Sequence, residues 1–383
     1  MRVAALLAFA IAAVATPLAA EITRAPAPKQ ATKINVETVA KGLSNPWALQ
    51  FLPDGRMLVT ERPGTMRIVG RDGTLSKPLA GVPAVVARGQ GGLLDVALAP
   101  DFATSHVVYV SFSEPRTLGR NGTAVARARL VIDGDGGRLE DLAVVFHQKP
   151  DYASPLHFGG RLAFARDGTL FITAGERAYA RDEAQNPTHH LGKVIHINAD
   201  GTIPADNPKL VDTRLADWAP EVWSIGHRNP QAAAIHPVTG KLWTVEHGAQ
   251  GGDEINVPAA GRNYGWPVIT YGRDYDNSKI GIGTAKAGLE QPVYYRAPSI
   301  APSGMAFYTA DLAPEWKGNL FVGALAGAHL TRLVLDGETV VAEEQLLRAE
   351  GERIRDVRVG PDGALYVATD NRNGRILRIT PAR

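Results

Sequence analysis

One phrase recurs along this chain, and its repetition limits the folds open to it. A polar turn built on Asp or Gly leads into a short strand rich in β-branched and aromatic residues. It reads Pro53-Asp54-Gly55-Arg56-Met57-Leu58-Val59-Thr60, then more loosely Pro100-Asp101 ahead of Val107-Val108-Tyr109-Val110. The next copies are Asp167-Gly168-Thr169-Leu170-Phe171-Ile172 and Thr239-Gly240-Lys241-Leu242-Trp243-Thr244. The last two are Lys317-Gly318-Asn319-Leu320-Phe321-Val322 and Pro361-Asp362-Gly363-Ala364-Leu365-Tyr366-Val367. The six copies lie about 45 to 80 residues apart, the spacing of radially repeated blades joined by unequal loops. A second strand follows each, as in Met66-Arg67-Ile68-Val69 and Ile376-Leu377-Arg378-Ile379, which is a hairpin pattern. Helical periodicity is not sustained anywhere, and a repeat count of six argues against a two-sheet sandwich. The expectation is an all-β, six-bladed β-propeller with four-stranded antiparallel blades over residues 34–383. Propellers bind ligands at the mouth of the central channel. The long connections expected to carry the chemistry are about 113–160, 175–225 and 247–300.

Composition supports one large packed unit. Apolar residues make up 45% of the chain and charged residues 21%, with 40 Gly and 26 Pro to serve many tight turns. A net charge of +2 argues against nucleic acid or an anionic membrane as the main partner. No cysteine is present, so covalent c-type haem and thiolate metal sites are excluded. Arg2, the apolar run Val3 to Val14 and the small residues around Ala19 and Ala20 read as a signal peptide over residues 1–20. A flexible lead-in, 21–33, is expected to follow. The mature protein is then periplasmic or secreted, with no membrane insertion, as a monomer or weak dimer.

Several catalytic signatures are missing: no Gly-x-Ser-x-Gly elbow, no phosphate loop, no His-Glu-x-x-His. Asp133-Gly134-Asp135-Gly136 fails as a calcium loop, because Gly137 stands where a third ligand belongs, and is read as a hairpin turn. His189-His190 is a histidine pair on a loop, too few ligands for a metal site.

Four segments carry more chemistry. In Leu156-His157-Phe158-Gly159-Gly160-Arg161-Leu162, His157 sits at the end of a long loop just ahead of a strand. An imidazole there suits a general base near neutral pH. Ser224-Ile225-Gly226-His227-Arg228-Asn229-Pro230-Gln231 sets a guanidinium beside an amide, a pair suited to carboxylates and carbonyls. Glu246-His247-Gly248-Ala249-Gln250-Gly251-Gly252-Asp253-Glu254-Ile255-Asn256 exposes main-chain carbonyls beside acids, the hard oxygen donors that calcium takes. It is followed by Asn263-Tyr264-Gly265-Trp266-Pro267. In Arg353-Ile354-Arg355-Asp356-Val357, strand alternation puts Arg353 and Arg355 on one face. Pointed into a channel, two guanidinium groups suit a polyanion.

Taken together, these motifs, from Gly42-Leu43-Ser44-Asn45-Pro46-Trp47 to the last strand, resemble the soluble aldose (glucose-type) sugar dehydrogenases that use pyrroloquinoline quinone (PQQ). The resemblance implies PQQ and Ca2+ as cofactors, an aldose as substrate and a lactone as product. A separate acceptor, a quinone or cytochrome, takes the electrons. It implies that His157 is the base acting on the C1 hydroxyl, with Glu176 beside it. Gln90, Arg228, Asn229 and Tyr275 match cofactor contacts, and Arg353 with Arg355 match the pair that holds the cofactor carboxylates. Gly248 and Ala249 match carbonyl ligands of the calcium that polarises the quinone. Glu254 and Tyr264 match a second, structural calcium.

Two positions depart from that pattern. Glu176 stands where relatives commonly have Asp, one methylene shorter. Leu325-Ala326 stands where relatives carry a lysine paired with a cofactor carboxylate, and losing such a contact costs on the order of 1.5–3 kcal/mol. His329 and Arg332 are the nearby candidates to replace it. Two rival readings follow. One is a calcium-dependent hydrolase of sugar lactones, which does not need the paired arginines. The other is a non-catalytic binding propeller that has lost the cofactor, a reading prompted by Ala326.

Overall fold

The computed structural model describes residues 25–382; the expected signal peptide, 1–20, lies outside them. Six antiparallel sheets form the blades of a propeller. Blade 1 holds Pro46–Phe51, Met57–Glu61 and Thr65–Val69, and blade 2 holds Leu93–Leu98, Val107–Pro115, Asn121–Asp133 and Gly136–His147. Blade 3 holds Gly159–Phe164, Leu170–Ala174, Lys193–Ile197 and Val222–Ile225. Blade 4 holds Pro230–Ile235, Leu242–Glu246, Asp253–Asn256 and Tyr294–Arg296. Blade 5 holds Pro302–Phe307, Leu320–Ala324, His329–Asp336 and Thr339–Leu346. Blade 6 takes Ile354–Val359, Leu365–Thr369 and Gly374–Pro381 from the end of the chain and Ile34–Leu43 from its beginning. That last pairing, antiparallel from Ile34 with Pro381 to Leu43 with Gly374, closes the ring and leaves no blade edge between the two ends of the domain.

Every copy of the recurring phrase is the second strand of a blade. The turn chemistry explains the repeat: main-chain N–H groups of Arg56, Thr169 and Ala364 donate to Asp54, Asp167 and Asp362, each two residues back. The intervening Gly55, Gly168 and Gly363 take φ of 84°, 86° and 80°, which a side chain resists. The first strand of each blade carries no such phrase, and the repeat does not reveal it. Two expectations change in detail. Blade 1 has three strands, with Ser76 and Leu79 donating to Ile68 and Met66 along its outer edge, and blade 3 gains a parallel two-residue strand, Arg262–Asn263. The stretches 113–160, 175–225 and 247–300 also contain strands of blades 2, 3 and 4 and are not plain loops. Asp133-Gly134-Asp135-Gly136 is the expected hairpin turn.

Packing follows from the radial plan. Six apolar clusters fill the six junctions between adjacent blades, from Trp47, Leu58 and Phe112 between blades 1 and 2 to Leu49, Met57 and Tyr366 between blades 6 and 1. A seventh, smaller cluster of Ala184, Ala249, Trp266 and Ile280 lies under loops of blades 3 and 4. Residues 25–33, within the expected lead-in, make specific contacts. Ala25 N donates to Tyr294 Oη and Thr32 Oγ1 to Glu344 Oε2, at 2.9 and 2.7 Å.

Candidate active site

All six blades have the same strand order, so their first strands run parallel about the axis and all begin at one end of the channel. At that end the residues just ahead of the first strands meet those just after the second strands. The pairing of first and second strands is bulged in all six blades. Bulges re-aim side chains at rims of this kind. His157, Arg228 with Asn229, and Arg353 fall immediately before the first strands of blades 3, 4 and 6. Glu176 and His247 fall after the second strands of blades 3 and 4. The sequence segments therefore converge.

His157 is well held. His157 is buried, with φ at 51°, in the left-handed region that a non-glycine residue occupies only at a cost. Its main-chain N–H donates to Gln90 Oε1 at 2.8 Å, and its Nδ1 lies 2.6 Å from Glu176 Oε2. A proton on Nδ1, donated to the carboxylate, leaves Nε2 as the basic nitrogen. Glu176 also accepts from Ala178 N at 2.8 Å. The approach depends on Gly175, where an added Cβ would stand 2.2 Å from His157 O. Burial holds the imidazole below its ordinary value against the pull of Glu176, and the Arg228 and Arg177 charges add to that effect. His157 is therefore neutral and basic at pH 7.

Arg228 and Asn229 are fixed from behind. Arg228 N donates to Glu246 Oε2 at 2.6 Å, and its Nη1 reaches His247 O and Gly248 O at 3.2 and 2.6 Å. Its guanidinium lies 5.2 Å from the centre of the Trp266 ring. Asn229 Oδ1 accepts from Gly159 N at 3.1 Å. Their remaining donors, Arg228 Nε and Asn229 Nδ2, are buried with no hydrogen-bond partner. Such groups are costly unless something satisfies them. Gln90, His157, Glu176, Arg228, Ala249 and Tyr275 line one cavity of about 550 Å³. Tyr275 stands at its rim, with its hydroxyl 3.5 Å from Arg228 Nη2.

On blade 6 the two arginines converge on Asp370, at 3.2 Å from Arg353 and 2.8 Å from Arg355. Burial works to raise the Asp370 pKa, but Arg355 and Arg353 hold it down at about 2. Arg355 Nη1 also donates to Gln231 Oε1 at 2.8 Å, while its buried Nε has no partner. Among the described residues of blade 5, neither candidate takes the place of the lysine that relatives carry. Arg332 is taken up by Asn319, Glu344, Thr32 and Glu315, and the His329 ring nitrogens face Gly327 O and Thr331 Oγ1.

The residues expected at calcium are less uniformly arranged. Gly248 O already accepts from Arg228, while Gly248 N donates to Asp253 Oδ1 at 2.9 Å. The buried Asp253 beside Gly248 also accepts from Ser299 Oγ and Ile300 N, at 2.7 Å each. Glu254 faces Glu246 across two paired strands, and burial, then the Glu246 charge, pushes its carboxyl up to about 8. The Tyr264 hydroxyl donates to Val257 O at 2.6 Å, and no hydrogen bond joins Tyr264 to Glu254 among the described residues. Among those residues no three His, Cys, Asp or Glu side chains group as a metal site.

Three contributors escaped the sequence reading: Glu246, Asp370 and Arg177. Glu246 binds His227 Nδ1 at 3.0 Å as well as Arg228 N. Arg177 is fully buried, its guanidinium 3.6 Å from the centre of the Phe158 ring, and burial lowers its pKa to about 9. Glu61, Glu246 and Asp370 all sit at or just past the end of a second strand, a regularity of the repeat that was available to be read.

Comparison with known proteins gives the family and the fold. The family model described as Glucose / Sorbosone dehydrogenase matches residues 43–378. The chain is 46% identical over 351 residues to the aldose sugar dehydrogenase YliI of Escherichia coli, covering 91% of this chain and 93% of that one. A crystal structure of a glucose dehydrogenase superposes with a TM-score of 0.87 at 49% identity, over 91% of this chain and all of the other. The PQQ-bound aldose sugar dehydrogenase of Streptomyces coelicolor superposes with a TM-score of 0.75 at 29% identity, over 91% and 99%.

Proposed function

This chain belongs to the glucose/sorbosone dehydrogenase family, and from that premise we propose that it oxidises aldose sugars at C1 to lactones with pyrroloquinoline quinone. The observation that carries the proposal is the buried His157–Glu176 pair beside donors of Arg228 and Asn229 that have no partner. An anionic quinone would be held there by Arg228 and Asn229 at its carbonyls and by the Arg353–Arg355 pair, which here contacts Asp370, at its carboxylates. When bound, the quinone supplies a two-electron acceptor for the hydride that leaves C1.

The residues of the chain do the rest. His157 Nε2 takes the proton from the C1 hydroxyl, and Glu176 steadies the imidazolium so formed. Gln90 fixes the main chain of His157, so the base keeps its aim. Arg228 and Asn229 place positive charge and N–H groups where negative charge collects. Gly248 O and Ala249 O would supply donors for Ca2+, with Arg228 sharing the first of them. Glu254 and Tyr264 are proposed at a second, structural calcium, not through the Tyr264 hydroxyl, which is taken by Val257 O and Ala259 N. A separate quinone or cytochrome receives the electrons, in the periplasm or outside the cell, as the leader sequence suggests.

A lactone hydrolase would use a metal-centred acidic cluster and leave three arginines at the mouth without a task, so oxidation is favoured. Reconstitution tests the reading. Protein loaded with PQQ and Ca2+ is expected to reduce an artificial dye when glucose or another aldose is added. No turnover across a broad sugar panel overturns it, and a spectral change on loading without turnover identifies a binding propeller instead.

A further inference from the structure

Arg177 is a costly residue to bury. It and Ala178, the two residues after Glu176, take φ of 69° and 62°, and left-handed non-glycine residues in succession are held only under strain. The Arg177 side chain turns inward and is fully buried. Its Nη2 donates to Asn121 Oδ1 at 2.5 Å and to Ser154 O, while Nε and Nη1 have no hydrogen-bond partner. Among the described residues no carboxylate forms an ion pair with it, and the negative charge it senses is that of Glu176. A buried cation without a paired acid weakens a fold.

The neighbours of Arg177 are those of His157. The chain from Tyr152 to Phe158 is tied down at short intervals. Tyr152 exchanges main-chain hydrogen bonds with Asn121, and Pro155 O accepts from Gln90 N at 2.8 Å. Phe158 O accepts from Thr123 Oγ1 at 2.6 Å, and the Arg177 guanidinium lies 3.6 Å from the centre of the Phe158 ring. One side chain thus grips this loop three residues before His157 and one residue after it. Through Asn121 it fastens the loop to the start of the third strand of blade 2. The charges around the imidazole come from three blades. Burial keeps the ring unprotonated, Glu176 works against that, and the Arg228 and Arg177 charges work with it. His247, which burial holds down at about 3, is uncharged. Arg228 lines the cavity, whereas Arg177 acts only through its neighbours.

We propose that Arg177 is a positioning residue, which holds the His157 loop against blade 2 and balances the Glu176 carboxylate. The inference rests on the proposed role of His157 as base. Its test titrates the His157 imidazole by NMR in the whole chain without cofactor, the resonance being assigned by its loss in His157→Ala. Arg177→Gln keeps a donor and removes the charge. It is expected to raise the midpoint of the titration, with proton affinity about three- to tenfold above wild type. Asn121→Asp, nearly unchanged in size, sets a carboxylate on the guanidinium and is expected to move the midpoint in the same direction. It carries the test if Arg177→Gln does not fold. Arg177→Lys keeps the charge but not the fork, and is expected to change proton affinity by less than about twofold. In the PQQ- and Ca2+-loaded enzyme both Arg177 variants are expected to lower kcat about three- to tenfold, with KM within about twofold, because both loosen the loop. An unmoved or lowered midpoint in folded Arg177→Gln or Asn121→Asp, or full kcat in folded Arg177→Lys, overturns the proposal. If the wild type turns over no sugar, the proposed oxidation fails. The titration, which needs neither cofactor nor sugar, still decides what Arg177 does to the imidazole.

Discussion

The channel holds two layers of charge, one below the other, and they are finished differently. In the lower layer, Arg161 contacts Asp95 and Asp356 at 3.2 and 2.9 Å, and Arg358 contacts the same two acids at 3.2 and 3.3 Å. Two cations meet two anions, and the main chain supplies most of the rest: Leu162 N and Leu49 N donate to the acids, and Gln231 O accepts from Arg161, while Asp356 Oδ1 is held by its ion pair with Arg161 alone. Trp47 lies over Arg161, 4.1 Å from ring centre to guanidinium carbon. This layer ties the first strands of blades 1, 2, 3, 4 and 6 together. At the mouth, just ahead of the first strand of blade 4 and at the start of that of blade 6, Arg228 Nε, Asn229 Nδ2 and Arg355 Nε have no partner. A buried network that is paired holds structure; one that leaves donors open is prepared for something else. The contrast separates floor from site without reference to any relative.

Substitutions break or sharpen that contrast. The largest effect on stability is expected at the floor. Arg161→Met leaves two buried acids short of a cation and is expected to cost about 3–5 kcal/mol in denaturant unfolding. At the mouth, His157→Ala is expected to lower kcat by about 10²- to 10⁴-fold while quinone binding, followed by absorbance, stays intact. Glu176→Gln removes a charged hydrogen-bond partner and is expected to cost about ten- to a hundredfold in kcat, with Glu176→Asp nearer wild type.

The pH profile carries the same logic with a sign. As the proposed base, His157 must be neutral to act, and burial already holds it below the ordinary histidine value of 6.5. Rate is therefore full at neutral pH and falls only as pH drops below that value. The Glu176 charge opposes the shift, so Glu176→Gln is expected to move the acid limb lower still. The smallest change is a gain. Ala326 is exposed on the blade 5 side, and Ala326→Lys is expected to tighten quinone binding about tenfold, measured by titration.

Much of this was legible in the sequence, and the reason is local chemistry. The Asp-Gly turns ahead of Met57, Leu170 and Leu365 work through contacts two residues apart, so they leave a mark that repeats. First strands such as Pro230–Ile235 owe their place to neighbours in other blades, and no local pattern announces them. His157, Arg228 and Arg355 were found because they sit in distinctive strings. Asp370 and Arg177 were not, since their role lies in partners far along the chain or in burial against Phe158. Asp95 and Arg161 belong to the same class: an acid and a base 66 positions apart show their pairing only in the fold.

The central claim, that the open donors at the mouth form an anionic-cofactor site while the floor is structural, meets its most direct test in one titration. Quinone is added in the presence of Ca2+ to the wild-type protein and to Arg228→Met, and the cofactor absorbance is followed. A saturable change in the wild type, with binding at least about tenfold weaker in Arg228→Met, is the predicted result. No change in the wild type, or equal affinity in the two proteins, contradicts the account.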